Sequence, residues 1–325
     1  MVSAIMIGLA NRLAAGAALL AVMVSSATAQ GEWGTAAPLP AAHSEFAVAE
    51  LAGEIYVIGG YAIGDVAGTS VHIYDAAADR WRRGPPLPEP AHHLMAASAA
   101  GRVFVFGGQG GIFGRGFTDA VWALDPAAGE WEARAPLPRA RGAGVAVTLD
   151  GKIYVAGGRP PHGHDFAVYD PAADRWEVLP ALPSQRNHLA GAAIGGKIFI
   201  AGGRLGPGYR SEASAILEVF DPTTGAWSKA APMPRPRSGV NGIAARGCFH
   251  VWGGEGGAGM FPDHTVYDPG RDRWTRLADM PVPLHGVTGA AYIDGRIHMP
   301  GGGQDVGGRS PGTLHQTYRP ERTCE

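Results

Sequence analysis

The pattern of apolar and polar positions in this chain is dominated by one short β-type run that closes on Gly-Gly. It occurs six times: EIYVIGG (54–60), RVFVFGG (102–108), KIYVAGG (152–158), KIFIAGG (197–203), CFHVWGG (248–254) and RIHMPGG (296–302). Successive glycine pairs are 48, 50, 45, 51 and 48 residues apart. A strand-like unit at a period near fifty marks a repeat architecture. Other columns share the period. A turn glycine precedes each run (Gly53, Gly101, Gly151, Gly196, Gly247, Gly295), suited to a tight hairpin. Downstream comes an aromatic residue or Leu followed by Asp: Tyr74-Asp75, Leu124-Asp125, Tyr169-Asp170, Phe220-Asp221 and Tyr267-Asp268. Six residues after each Asp stands Trp81, Trp131, Trp176, Trp227 or Trp274, and then a proline-ended connector. Each period therefore predicts four strands. Strand a is rich in Gly and Ala (142–147, 188–193), b ends at the diglycine, c ends at the aromatic-Asp pair, and d carries the Trp. Small residues suit an inner strand crowded about an axis, and large aromatics suit the space between neighbouring sheets.

Composition supports this. Fifty glycines and 26 prolines fit a turn-dense β protein. A formal net charge of −2, with no basic run of five or more, argues neither for a nucleic-acid partner nor for an acidic membrane surface.

These columns resemble the kelch motif, with its diglycine and spaced Tyr and Trp. The resemblance covers residues 31–325 and implies an all-β, six-bladed β-propeller with one four-stranded repeat per blade. The sixth unit has Gly301-Gly302 and a strand c ending Tyr318-Arg319-Pro320, but no Trp follows it. Trp33 instead opens WGTAAPLP (33–40), a copy of WEARAPLP (131–138). The N-terminal segment is expected to supply strand d of the last blade and so remove an exposed edge.

Residues 1–29 read as a signal peptide and 30–325 as one propeller domain. Arg12 precedes the apolar stretch 13–24, and Ala27 and Ala29 suit a peptidase site before Gln30. The expected location is periplasmic or secreted, with no membrane association after cleavage. The two cysteines, Cys248 and Cys324, fall on neighbouring blades at one face. A bridge and two free thiols both remain open.

Strand direction puts the d–a connectors and the variable b–c loops on one face. Function is expected there, on variable loops held by a regular scaffold. Two polar sets converge on it. One follows the connectors: His43, His92, Arg141, Arg186, Arg237 and His285, with His93 and His188 alongside. The other begins the b–c loops: Tyr61, Gln109, Arg159, Arg204, Glu255 and Gln304. As a ring about the pore mouth they would make a positive potential suited to an anionic small molecule or a carboxylate-bearing peptide. The alternative is that the connector arginines tie down loop carbonyls. His162 and His164 with Asp165 have ligand-type atoms but no further partner by spacing, so they read as a solvated loop. His250 and His298 sit in the strand-b aromatic column and read as packing. No metal or cofactor is assigned.

Two enzymes with kelch propellers bear on the activity. Galactose oxidase is similar only in its repeats, which argues against copper oxidase chemistry here. The periplasmic sialic-acid mutarotase is closer in size and blade count. Its proposed site resembles a Glu after a diglycine with an Arg six residues on. Glu255 holds that Glu position, but Phe261 replaces the Arg; Arg210 holds the Arg position one blade earlier, where Arg204 replaces the Glu. The reading is a non-catalytic ligand- or partner-binding propeller. The alternative is a sugar mutarotase with Glu255 as acid/base and Arg204 or Arg210 holding a carboxylate.

Overall fold

The structure, a computed structural model, describes residues 31–62, 68–110 and 116–324. The expected signal peptide lies outside them. Each repeat folds as an antiparallel sheet of four strands in chain order. In the third blade these are Val145–Leu149, Lys152–Ala156, Phe166–Asp170 and Arg175–Val178. Six sheets of this kind follow one another, giving the six-bladed all-β propeller. The last combines Ala291–Ile293, Arg296–Pro300 and His315–Arg319 with the N-terminal strand Glu32–Ala36, in which Trp33 lies opposite Tyr318.

Burial explains why the sheets close into a ring. The apolar residues form six clusters, each between two successive blades. The last, built on Leu39, Phe46, Tyr74 and Ala291, joins the sixth blade to the first. The tryptophans add a polar latch to each seam. Every strand-d indole donates its Nε1–H to a connector carbonyl of the preceding blade, at 2.7–3.0 Å, as from Trp81 to Ala37 and from Trp274 to Ala231. Trp33 does the same to Ala278, so the N-terminal strand behaves like any other strand d.

A second latch alternates. Tyr74, Tyr169 and Tyr267 donate their hydroxyls to Asp79, Asp174 and Asp272 at 2.6–2.7 Å. Those carboxylates also accept the backbone N–H of Ala37, Ala135 and Ala231 in the preceding connector. Where the side chain lacks a hydroxyl, at Leu124 and Phe220, the equivalent turn residue is Gly129 or Gly225. All five turn residues have positive φ, which glycine takes without strain. Asp appears there only where its side chain has a bond to make. The Asp that ends strand c opens each turn by accepting backbone N–H bonds, as where Asp170 accepts from Ala172 N.

His250 and His298 lie in the interblade core as expected, each facing a second imidazole, His264 at 3.0 Å and His315 at 3.1 Å. His162 and His164 form a short 3-10 turn, bonded to Asp165 and to the Leu182 carbonyl. Of the two possibilities for the cysteines, the structure has the bridge. A disulfide joins Cys324 to Cys248, and Arg322 reaches Asp268 at 3.2 Å, so the C-terminal tail is tied across to the fifth blade.

Strand a differs from expectation. It begins at Val145 and Ala190, later than the Gly/Ala runs suggest. The residues just before it instead form a positive-φ column: Glu45, His93, Ala143, His188, Gly239 and Gly286. Five backbone bonds link this column from blade to blade: His93 N to Glu45 O, Ala143 N to His93 O, His188 N to Ala143 O, Gly239 N to His188 O and Glu45 N to Gly286 O. It forms a collar around the axis. Below it the inner strands enclose a channel of about 290 Å3, lined mainly by Ala, Val and Gly.

Candidate functional site

The collar places three ionisable side chains over the axis, because Glu45, His93 and His188 occupy three of its six positions while Ala143, Gly239 and Gly286 leave room at the others. His285, from the residue before the collar in the sixth blade, joins them. A side chain at Gly239 would overlap its ring, so glycine there makes the room. The first residues of two b–c loops complete the cluster: Arg204 and Glu255, both buried.

The bonds run across blades. Glu45 stands between two imidazoles, its Oε1 3.2 Å from His285 Nε2 and its Oε2 3.1 Å from His93 Nε2. Arg159 Nη2 lies 2.9 Å from the same His93 nitrogen. On the other side of His285, Nδ1 faces Glu255 Oε1 at 3.6 Å. Glu255 accepts from Arg204 Nη1 at 2.8 Å and from the Gly307 backbone N–H at 2.6 Å. Arg204 Nη2 donates to His188 Nε2 at 2.8 Å. A guanidinium has only donors, so this nitrogen accepts. His188 then carries its proton on Nδ1, which donates to Asn187 Oδ1 at 2.6 Å.

Burial would raise the Glu45 carboxyl, but His93, His285 and Arg159 together hold it well below the usual carboxylate range. Burial pushes His93 down to about 3 and His92 to about 4, against the pull of Glu45. It also drives His188 well down, helped by Arg204. These three imidazoles are neutral at pH 7 and act as donors and acceptors. Burial lowers Arg204, and Glu255 opposes the shift.

The structure redistributes the residues expected at the mouth. Arg141, Arg186 and Arg237 lie inside the scaffold, at 1%, 0% and 0% exposure. Arg186 donates to the carbonyls of Gly202 and Ile216 and pairs with Glu218 at 2.6 Å. Arg237 donates to Gly253 O and Asp263 O, and Arg141 to Val155 O. Each is tied within its own blade, so of the two readings of the connector arginines the structure has the ties to carbonyls and not a ring of cations at the mouth. Arg210 lies on the exposed rim, over the Tyr209 ring at 5.4 Å. His43 faces His72 in the core.

Register explains two further corrections. The column accepting the diglycine N–H of the neighbouring blade is His43, Ala91, Arg141, Arg186, Arg237 and Leu284. His92 and His285 belong one residue later, paired with Gln109 and Gly303. In the sixth blade Gly303, and not Gln304, begins the b–c loop at that level. His285 is thereby brought to the axis, while His92 contacts His93 and Tyr61. Glu45 was missed. Its only sequence signal is that it shares with His93 and His188 a fixed distance before the diglycine. The expected positive potential is also corrected, because Glu45 and Glu255 offset Arg159 and Arg204.

A glycine-rich hairpin, Gly303–Asp305 with Arg309–Pro311, roofs the cluster. Besides the bond to Glu255, Ser44 Oγ donates to Gly308 O at 2.6 Å, and Gly307 lies against the Tyr209 ring. Two buried carboxylates, several neutral imidazoles and two guanidiniums in contact can bind an anion, relay a proton or ligate a cation.

Comparisons agree with the fold. The family model described as the KLHDC2/KLHL20/DRC7 Kelch-repeats domain matches residues 23–203, more than half the chain, and the Kelch motif matches residues 185–234. No curated protein matches the chain by sequence. Among solved structures, one titled "Structure of YjhT" is similar with a TM-score of 0.72 at 18% identity, over 85% of this chain and 95% of that one. At that identity the likeness is one of fold. Six diglycine-ended blades, their indole latches and the family match lead to one conclusion: the chain belongs to the kelch-repeat propellers.

Proposed function

We propose that the protein binds a small anionic ligand at the axial mouth of its variable face. One observation carries this reading. Three collar positions are Ala or Gly, while the other three hold Glu45, His93 and His188 over the axis beside Arg204 and Glu255. A backbone collar needs none of these groups, and burying ion pairs contributes little to stability or opposes it. Concentrations of perturbed ionisable groups mark functional sites. Arg159 is the cation available to a ligand carboxylate. It is half-buried and its Nε has no partner among the described residues.

Calorimetry and thermal-shift screening of acidic monosaccharides and short carboxylated peptides test the reading. Saturable binding should weaken roughly tenfold or more in Arg159→Ala, as expected for a lost charge-assisted contact. Binding that survives this substitution, or that maps to the opposite face, removes the basis for the site.

A second reading is a sugar mutarotase, favoured by the placement of Glu255 beside His285. Anomer exchange of any bound sugar, followed by NMR, separates the two. Acceleration lost in Glu255→Gln indicates an enzyme, and no acceleration over buffer indicates a binding module. Export to an oxidising compartment fits the Cys248–Cys324 disulfide. It is tested by whether the mature N-terminus in a periplasmic or secreted fraction is Gln30.

A further inference from the structure

Glu45, His188 and His285 bring one carboxylate oxygen and two imidazole nitrogens within 4.8 Å of one another, and all three residues are buried. We propose that they form a divalent transition-metal site of the two-histidine, one-carboxylate type, with Zn2+ as a suitable ion. Glu45 would bind through Oε1 and each histidine through Nε2. The inference stands on this geometry and does not require the anionic ligand.

Three observations support it. First, Glu45 Oε1 and His285 Nε2 are 3.2 Å apart. Two ligands of a tetrahedral ion, each about 2.0 Å from it, stand about 3.3 Å apart. Second, both imidazoles already have an oxygen at the far nitrogen. His188 Nδ1 donates to Asn187 Oδ1 at 2.6 Å, and Asn187 is held by its own bonds to the carbonyls of Arg204 and Gly206. His285 Nδ1 faces Glu255 Oε1. Metal-ligating histidines characteristically give their other ring N–H to such an acceptor.

Third, His285 is 1% exposed, yet among the described residues its Nδ1 has no hydrogen-bond partner, with Glu255 too distant at 3.6 Å. Without metal, Nε2–H is needed to donate to Glu45, which leaves Nδ1 bare. With an ion on Nε2 the ring proton moves to Nδ1, where it points at Glu255 Oε1, which has to close in from 3.6 Å to accept it. The tautomer changes, no proton leaves the ring, and the orphaned atom acquires its partner.

Two existing contacts must yield, the first being the His285 Nε2–H bond to Glu45 Oε1, whose place the ion takes. Arg204 Nη2 would leave His188 Nε2 while Nη1 stays on Glu255. The ion adds positive charge to a cluster whose carboxylates and guanidiniums are balanced. Water, hydroxide or a bound anion would complete its coordination.

The test is Zn2+ titration of the full chain after chelator treatment and its removal, read by calorimetry and by the thermal midpoint. One ion per chain is expected, with a midpoint that rises with free Zn2+. Glu45→Gln and His188→Ala should abolish binding, Asn187→Ala should weaken it roughly 10- to 100-fold, and His162→Ala should leave it unchanged. Absence of stoichiometric binding, or equal binding in His188→Ala, overturns the proposal. Should the axial variants fail to fold, imidazole 15N shifts of the wild-type chain decide: Zn2+ must move the His188 and His285 signals, and unmoved signals overturn the site. Ligand binding that persists in chelator while Zn2+ does not bind would refute the metal site alone.

Discussion

The seams between blades and the collar at the axis use the same residue types under opposite rules. At the seams the arrangement repeats. Every strand-d tryptophan latches the preceding blade, and every connector arginine is tied within its own blade. At the axis, by contrast, one backbone column holds Glu, His, Ala, His, Gly and Gly. Arg186 and Arg204 make the contrast concrete. Both are buried and both pair with a glutamate, at 2.6 and 2.8 Å. Arg186 otherwise serves its own blade, whereas Arg204 joins two blades and orients His188. Repetition therefore reports the scaffold, and departure from it reports the site.

The severest way to break the comparison is to remove a seam. Deleting residues 30–40 takes away the outer strand of the sixth blade and the Trp33 latch, and should abolish the cooperative thermal transition or lower it far beyond terminal fraying. An unchanged transition would show that closure does not depend on this strand.

Next comes the pair of arginines. Arg186→Ala leaves Glu218 buried and uncompensated, so denaturant unfolding should show a loss of about 3–5 kcal/mol. Ligand affinity of the folded protein should stay within a factor of a few. Arg159→Ala should do the reverse, with binding reduced and a smaller loss of stability, because Arg159 is half-buried and is one of several groups that hold Glu45 charged. If both variants lose stability and affinity alike, scaffold and site are not separable.

Acid should act on the seams as well as on the axial imidazoles His92, His93 and His188, which burial shifts in the same direction. Burial holds His250 and His315 near 3 and His298 near 4. Below about 6.5 the unfolded chain binds protons that these folded imidazoles refuse. Their contribution is complete above that pH and is lost progressively as pH falls toward 3–4. The thermal midpoint should decline across that window, and less steeply in His298→Phe. A midpoint that is flat from pH 7 to 4 would contradict the buried neutral pairs.

The smallest effect concerns the alternating latch. Tyr169→Phe should cost about 1 kcal/mol. Combining Tyr169→Phe with Asp174→Gly reproduces the Phe220 and Gly225 pair of the fourth blade, and should cost less than the two single changes added together. Additivity in that cycle would mean that Tyr169 and Asp174 are not coupled.

Much of the scaffold was legible because its rules repeat. The diglycines, the Trp column and the displaced Trp33 needed only counting. The tyrosine–aspartate alternation was equally visible, since Leu124 and Phe220 each precede a turn glycine where the tyrosines precede Asp. The axis was harder to read. Counting from the proline connectors put His92 and His285 into the arginine column. Counting back from the diglycine restores Ala91 in the second blade but fails in the sixth, where an extra residue enters before Ala291–Ile293. Burial is only weakly written in the chain: nothing in the sequence decides that the connector residue Arg237 is enclosed in its blade while the loop residue Arg159 reaches the mouth. Glu45 was concealed because a single acidic residue in a connector has no partner until the ring brings His285 and His93 to it.

The pairing of Glu32–Ala36 with His315–Arg319 also bears on the order of assembly. In the other five blades the four antiparallel strands come from neighbouring segments, although in the first blade Val287–Thr288 adds a distant parallel pairing to Phe46–Ala47. The sixth must bring together strands from opposite ends of the chain, with Trp33 reaching a carbonyl 245 residues away. Such distant contacts form slowly. Until they form, strand His315–Arg319 presents an unpaired edge that can recruit the Glu32–Ala36 segment of a second molecule as readily as its own. The characteristic misassembly of this protein should therefore be an exchanged-strand dimer, increasing with concentration during refolding.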